Sequence, residues 1–215
     1  MGTCDPTHTM EIRLQDIAKQ FGREQVFHGV NVELASGSRT AILGPNGSGK
    51  STLLQVIGGI LMPSHGTITH HHKGAGVPAD ALYRSISIAA PYLNLYEDLP
   101  LRQTIDFHAR FKPLMQGITT EELARIAYLD HAMDKPVLHF SSGMKQRLKL
   151  ALAILSDTPL LLLDEPASNL DAEAIAWYRD LLPKHAEGRT VVIASNRQAA
   201  EHELCDRQID TSALK

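Results

Sequence analysis

The chain has 215 residues, which is enough for one large domain, or for one domain with an inserted lobe, and too long for a small disulfide-stapled protein. Its formal net charge is −3 and its 21 Lys and Arg residues are spread along the sequence, so nucleic acid is not an expected partner. Two cysteines, Cys4 and Cys205, are typical of a reducing cytosol, and the polar residues 1–9 lack the apolar core of a secretory signal. The apolar runs are far shorter than the roughly 18 residues of a membrane span, so we expect a cytoplasmic protein.

Short runs rich in Val, Ile and Leu alternate with segments of helical period along the first half of the chain, a pattern typical of an α/β fold. Strands are predicted over residues 10–14, 26–34 and 40–43, and a helix over 50–60 follows them. Further strands are predicted over 67–69 and 85–89. The stretch 70–78 between them is predicted to be a loop, and its three histidines, His70, His71 and His72, are interpreted as exposed residues instead of a metal site, because adjacent side chains rarely converge on one ion.

The second half of the chain begins with a change of pattern. Residues 102–111 and 120–129 have helical period with no strand-like run between them, which predicts a helical lobe. Strands are then predicted over 160–163 and 190–194, with helices over 172–182 and 197–204. We therefore expect a sheet with helices packed on it, interrupted by one helical insertion.

The segment between the predicted strand 40–43 and the following helix fits the P-loop pattern, which binds the phosphates of a nucleoside triphosphate. This phosphate-binding loop consists of Gly44, Pro45, Asn46, Gly47, Ser48, Gly49, Lys50, Ser51 and Thr52. Glycines let backbone N–H groups turn towards phosphate oxygens, and the helix start adds the positive end of its dipole. We predict that Lys50 reaches the β- and γ-phosphates of ATP and that the Ser51 hydroxyl ligates the accompanying Mg²⁺.

The leucines at 160–163 predict a buried strand that ends in two carboxylates, Asp164 and Glu165. Carboxylates at such a position are costly unless they serve a metal ion or a water molecule. We interpret the segment as a Walker B element. Asp164 would hold the Mg²⁺ shell through water, and Glu165 would be the general base for the attacking water.

Ser141, Ser142 and Gly143, here called the signature segment, precede another predicted helix. By itself such a run is typical of an ordinary helix N-cap, although hydroxyls and N–H groups at a helix start also bind anions. The Walker B element follows it, and after that comes the segment here called the D-loop, made of Ser168, Asn169, Leu170 and Asp171. In order and spacing, these motifs resemble the ATP-binding cassette (ABC) ATPase family over about residues 10–209.

The resemblance implies a single P-loop NTPase domain over residues 1–215, with a mixed sheet flanked by helices. The core and an N-terminal antiparallel β-subdomain would cover about residues 10–90 and 157–215, and a helical subdomain would cover about 91–156. It also implies that the signature segment contacts the γ-phosphate held by a second subunit and that the D-loop lies at that interface. Phe21 occupies the position where the family has an aromatic that stacks on adenine, although an isolated Phe is usually a core residue.

Two positions depart from the family pattern. Pro91 stands where the family has a glutamine that ligates Mg²⁺, so this ligand is either missing, replaced by water, which we favour, or supplied by a neighbour such as Asn94. Asn196 stands where the family has a histidine that contacts the γ-phosphate, and its amide can donate a hydrogen bond but carries no charge. With Glu165 present we expect slow ATP hydrolysis, and we interpret the nearby His185 and His202 as surface residues.

The expected function is that of the ATPase subunit of an ABC transporter. Two copies would sandwich two MgATP and drive a separate membrane-spanning subunit, docked near Tyr92, Tyr96 and the helical lobe, from the inner face of the cell membrane. The signature sequence resembles those of exporter ATPases. The alternatives are an ATP-binding switch with impaired hydrolysis and a non-transport ABC protein.

Overall fold

Two β-sheets organise residues 9–214, the part of the chain that the structure, a computed structural model, describes. Cys4 and the other residues before Thr9 lie outside that part. In chain order the elements are β1 (Met10–Phe21), β2 (Glu24–Leu34), β3 (Arg39–Leu43), α1 (Lys50–Ile57), β4 (His65–His72), β5 (Ala75–Gly76), β6 (Ile86–Ala89), α2 (Leu101–Phe111), α3 (Thr120–Ile126), α4 (Ser142–Ile154), β7 (Leu160–Asp164), α5 (Ala172–His185), β8 (Thr190–Ser195), α6 (Ala199–His202) and β9 (Arg207–Asp210).

The first sheet is antiparallel and has the strand order β2–β1–β4–β5. Its strands β1 and β2 form a hairpin in which Phe21 pairs with Glu24, so both run further than the sequence pattern predicted. Met10, Ile12 and Leu14 alternate with more exposed residues on β1, and they are buried against α1 and the second sheet. This sheet is thus a separate layer that covers one face of the core.

The three histidines lie in strand β4, so the prediction of an exposed loop over residues 70–78 was wrong for them. His70 is buried and donates a hydrogen bond from Nε2 to the Ile57 carbonyl at the end of α1, at 2.7 Å. His72 donates from Nδ1 to the Thr9 carbonyl at 2.8 Å. The alternation of a strand directs His71 to the opposite face. The sequence did not predict this part of the strand because polar histidines lack the alternation of apolar and polar residues typical of a strand. β4 forms here through the pairing of its backbone with β1.

The second sheet is parallel and has the strand order β6–β7–β8–β3–β9. Leu160, Leu161, Leu162 and Leu163 of β7 have no exposed surface, because helices and the first sheet cover both faces of this strand. The edge strand β9 pairs with β3 and was missed by the sequence analysis, since its residues are mostly exposed and polar. The α/β fold class predicted from the sequence is confirmed.

A helical lobe made of α2, α3 and the N-terminal part of α4 is inserted between β6 and β7. Its interior contains Leu101, Ile105, Leu123, Val137 and Leu148, all without exposed surface. Short 3₁₀ turns connect the helices. Within residues 9–214, the helices are all too short or too polar to cross a lipid bilayer.

Candidate functional site

The phosphate-binding loop connects the carboxyl end of β3 to the first turn of α1. Gly49 precedes α1 with a φ of 92°, and a side chain there would meet Val26 of β2 at 2.6 Å. Lys50 is 4% exposed, and its ammonium donates to the carbonyl of Pro45 in the same loop at 3.0 Å. The loop is therefore folded around its own lysine, and the Ser48 N–H closes it further by donating to the same Pro45 carbonyl at 3.2 Å.

A chain of hydrogen bonds supports the loop from below. The Ser48 hydroxyl bonds the Thr211 hydroxyl at 2.6 Å, and Thr211 donates to the carbonyl of Leu43 at 3.0 Å. A Cβ on Gly44 would lie 2.1 Å from the Thr211 oxygen, so the glycine is required for this close approach. Thr211 is a part of the site that sequence analysis missed, because it lies in a C-terminal 3₁₀ turn far along the chain.

An open cavity of about 360 Å³ lies over the phosphate-binding loop. Its lining consists of Glu24, Gln25, Val26, Asn46, Gly47, Gly49, Lys50, Ser51, Thr52 and Glu165. Phe21 is outside this lining, at the end of β1, with 52% of its surface exposed and the Lys19 ammonium 5.0 Å from its ring centre. An exposed ring beside the cavity is free to stack on a flat ligand.

Asp164 and Glu165 lie at the carboxyl end of β7, beside the phosphate-binding loop. Asp164 is 1% exposed, and burial raises the pKa of its carboxyl above the ordinary value, with Glu165 adding to the rise and Ser51 and Lys50 opposing it. Glu165 has a φ of 46°, which turns the chain sharply, and its N–H donates to the Ala194 carbonyl of β8 at 2.9 Å. The turn presents the Glu165 side chain to the cavity while Asp164 stays beneath it.

The donor set at this place fits a hard divalent cation such as Mg²⁺. Both carboxylate oxygens of Asp164 are buried without a hydrogen-bond partner among the described residues, and the Ser51 hydroxyl is close to them. Carboxylate and hydroxyl oxygens, alone or through water, are the ligands that Mg²⁺ takes. An unpaired buried carboxylate is costly, and a cation with its water shell would remove that cost.

The loop after β6 carries Pro91, and its neighbour Tyr92 lies close to the Asp164 carboxylate. Burial, together with the charge of Asp164, raises the pKa of Tyr92 to about 12, and a hydrogen bond with the Gln55 side chain opposes the rise. Asn94, suggested as a substitute for the absent glutamine, lines a different cavity on the helical lobe. Tyr92 is thus a polar side chain of this loop near Asp164, whereas the sequence placed it only in a docking surface.

The loop after β8 carries Asn196, whose side-chain Oδ1 is buried without a hydrogen-bond partner among residues 9–214. The preceding Ser195 is fully buried and donates its hydroxyl to Glu201 of α6 at 2.5 Å. The two histidines named as surface residues, His185 at the end of α5 and His202 in α6, are partly exposed. Asn196 therefore lies at the same edge of the sheet as Asp164, whose register partner is Ala194, and its side-chain oxygen is unpaired among the described residues.

The signature segment lies at the start of α4. Ser141 caps this helix by accepting a hydrogen bond from the Met144 N–H at 3.2 Å, and Ser142 and the backbone of Gly143 are available on the surface. A Cβ on Gly143 would be 3.5 Å from the carbonyl of Asn169, so the segment adjoins the D-loop of its own chain. Neither Ser141, Ser142 nor Gly143 lines the cavity over the phosphate-binding loop.

The D-loop connects β7 to α5. Asn169 is exposed with a φ of 61°, and Asp171 caps α5 by accepting from the Ala174 N–H at 2.8 Å. Arg147 of α4 reaches Asp171 at 3.8 Å. Ser168 and Leu170 are partly buried, so the D-loop offers a short exposed ridge next to the signature segment.

A second cavity of about 340 Å³ lies on the helical lobe, away from the phosphate-binding loop. Its aromatic wall is made of Tyr96, Phe107 and Phe111, which stack edge to face with ring centres 4.7 and 5.1 Å apart. Tyr96 and Phe111 are each 60% exposed. Exposed aromatic side chains around a groove are characteristic of a protein-docking surface.

Comparison with known proteins gives consistent results. The family model described as "ABC transporter" matches residues 27–168. The Nod factor export ATP-binding protein I of Rhizobium sp. (strain N33) is 32% identical over 205 residues, which are 91% of this chain and 66% of that protein. The cytochrome c biogenesis ATP-binding export protein CcmA of Cupriavidus pinatubonensis (strain JMP 134 / LMG 1197) is 33% identical over 86% of this chain and 83% of its own length.

Among solved structures, a dimeric ATP-binding cassette in a post-hydrolysis state, bound to ADP and Pi, superposes with a TM-score of 0.78. It is 25% identical, and the match covers 93% of both chains. The chain spans only 55–66% of the length of several curated relatives that it matches.

Proposed function

Because the chain belongs to the ABC transporter family as an ATP-binding domain, we propose that it binds and hydrolyses ATP as the motor subunit of a transporter. The observation that carries the proposal is the arrangement at one sheet edge. The phosphate-binding loop, Asp164 and Glu165 meet there beside one cavity. Carboxyl ends of parallel strands are where open α/β sheets bind their ligands.

The phosphates of ATP would lie in the phosphate-binding loop, held by backbone N–H groups of the loop and by the positive end of α1. Lys50 lines the cavity, and its ammonium, which bonds the Pro45 carbonyl in this structure, would reach the β- and γ-phosphates. Phe21 would stack on the adenine ring, since it is exposed beside the cavity. These contacts bind the nucleotide within one chain.

Ser51, directly, and Asp164, through water, are the residues that would hold Mg²⁺, which neutralises charge on the β- and γ-phosphate oxygens when it is bound. Glu165 is the proposed general base. It takes a proton from the attacking water, the water oxygen bonds to the γ-phosphorus, and the bond from that phosphorus to the β-bridging oxygen breaks, which releases ADP and phosphate. Asn196 would donate its amide hydrogen bond to the γ-phosphate.

Two copies would form the complete site. The signature segment of one chain, with its free hydroxyl and helix start, would face the phosphate-binding loop of the other, and the two D-loops would lie between them. The solved cassette to which this chain is similar is itself dimeric, which supports a dimer. The proposed assembly is therefore a dimer with two MgATP at its interface.

The aromatic groove of Tyr96, Phe107 and Phe111 is proposed to dock a separate membrane-spanning subunit. The names of two relatives, one for Nod factor export and one for cytochrome c biogenesis export, support an exporter. In such an assembly the chain would lie on the cytoplasmic face of the cell membrane. What is transported would be decided by the membrane subunit.

The steady-state ATPase rate of the purified chain, with and without Mg²⁺, tests the motor function. We expect Mg²⁺-dependent turnover, and we expect Glu165→Gln to reduce kcat to below about one hundredth, because general-base catalysis contributes about 10²- to 10⁴-fold. Glu187→Gln, in the exposed turn after α5, is the matched control and should keep the wild-type rate. An unchanged rate in the Glu165 variant would contradict the assignment.

A second function, an ATP-gated switch, is favoured by one observation: Pro91 offers no side-chain oxygen and Asn196 offers no charge. In that case the chain would bind ATP and dimerise but would turn over hardly any nucleotide. The gel-filtration mass with ATP, measured beside the ATPase rate, separates the two. A stable ATP-dependent dimer without turnover in the wild-type chain would favour the switch over the motor.

A further inference from the structure

A buried carboxylate outside the nucleotide cavity connects the loop after β7 to the loop after β8. Glu201 belongs to the short helix α6 and is 1% exposed. Its Oε1 accepts a hydrogen bond from the Ala167 N–H at 3.0 Å, and its Oε2 accepts from the Ser195 hydroxyl at 2.5 Å. Each oxygen of this one side chain is thus bonded to a different loop.

The two partners stand directly before residues with proposed roles at the nucleotide. Ser195 is the last residue of β8 and precedes Asn196, while Ala167 precedes the D-loop, which begins at Ser168. The backbone ladder between β7 and β8 ends with Asp164 opposite Ala194 and with the bond from Glu165 to Ala194. Beyond that point the strands separate, and Glu201 continues the connection between the two loops.

Burying the carboxylate of Glu201 costs free energy. It raises the pKa of the Glu201 carboxyl, the nearby Glu165 raises it further, and the bonds from Ser195 and Ala167 and the charge of His202 lower it. A buried carboxylate destabilises a fold relative to an apolar side chain unless its hydrogen bonds are made. We therefore attribute the role of Glu201 to its two acceptor oxygens and not to its packing.

We propose that Glu201 is a positioning residue that couples the loop of Asn196 to the D-loop of the same subunit. Contact of Asn196 with the γ-phosphate and contact of the D-loop with the second subunit then occur together. This inference rests on the function proposed above. Glu201 is buried and is not part of the lining of the nucleotide cavity, so in this proposal it acts through the two loops.

A double-mutant cycle of Glu201→Ala and Asn196→Ala tests the coupling. Glu201→Ala should leave ATP affinity within about twofold of wild type but lower both ATP-driven dimerisation and kcat by about tenfold, the scale of one or two hydrogen bonds. If Asn196 acts through the same connection, the double variant should be no slower than about twofold below the slower single variant. Glu201→Gln keeps an acceptor for Ala167 and should recover at least about half of kcat.

Two further variants are needed, one as a matched control and one as a replacement for Glu201→Ala. Glu203→Ala alters the next acidic residue along, which pairs with Arg179 at the surface, and it should have wild-type dimerisation and kcat. If circular dichroism shows that Glu201→Ala does not fold, Ser195→Ala replaces it in the cycle, because it deletes only the hydroxyl donor.

Additive losses in the cycle would overturn the coupling, and so would a parallel loss of ATP affinity in the Glu201 variants. Failure of the proposed function would look different: the wild-type chain itself would show no ATP binding, and the inference would fall with it. Non-additive losses with retained ATP affinity support the inference.

Discussion

The phosphate-binding loop and the loops that carry Pro91 and Asn196 lie at the same edge of the parallel sheet, but they differ in whether the side chains that the family pattern requires are present. The phosphate-binding loop has its lysine and serine in place and is supported by the bond between Ser48 and Thr211. The other two loops offer no side-chain oxygen at Pro91 and no positive charge at Asn196. The difference predicts that ATP binding and ATP hydrolysis depend on separate residues in this chain, so that substitutions can change one without the other.

Lys50→Ala should have the largest effect, because it removes the lysine of the phosphate-binding loop. We expect ATP affinity to fall by about 100-fold, because hydrogen bonds to charged groups contribute about 1.5–3 kcal/mol and each 1.4 kcal/mol is tenfold. Equilibrium dialysis with labelled ATP measures it. Lys184→Ala, at the exposed end of α5, removes the same charge elsewhere and should keep wild-type affinity. Equal affinities for all three proteins would place the nucleotide at another site.

Asn196→His should have a smaller effect. It introduces a side chain that can carry a positive charge at residue 196, where the present amide carries none. We expect kcat to rise by about tenfold with little change in ATP affinity, because an imidazolium can stabilise charge on the γ-phosphate. The ratio of variant to wild-type kcat should be larger at pH 6 than at pH 8, since the ordinary pKa of histidine is about 6.5. A ratio of one at both values would show that residue 196 does not reach the phosphate.

The sequence predicted those parts of the site that are continuous in the chain. The phosphate-binding loop and the pair Asp164 and Glu165 each follow a strand whose hydrophobic pattern is clear, so local pattern and chemistry agree. The α/β class and the helical lobe were predicted for the same reason. The roles assigned to these residues stay predictions, and the variants at Lys50 and Glu165 test them.

The parts that sequence analysis missed depend on contacts between distant segments. Thr211 supports Ser48 only because β9 joins the sheet next to β3. His70 is buried in a strand because the Ile57 carbonyl accepts its N–H. The position of Tyr92 beside Asp164 and that of Glu201 beside Ser195 have no local signal in the sequence, because a tyrosine in a loop and a glutamate in a helix are ordinary until the fold brings these pairs together.

The central claim is that the phosphate-binding loop of one chain is completed by the signature segment of another. Mixing two inactive variants tests this most directly. Lys50→Ala disables the loop, and Ser142→Glu puts a carboxylate where the γ-phosphate of the other subunit would lie, while an acidic residue at a helix start leaves α4 stable. In a mixed dimer the damage falls on one site and leaves the other intact.

ATPase activity of the equimolar mixture is the measurement. Each variant alone should be inactive, and the mixture should recover up to about a quarter of the wild-type rate, because half of the dimers are mixed and each has one intact site. A mixture no more active than the two variants measured separately would contradict the claim, since it would mean that each chain completes its own site.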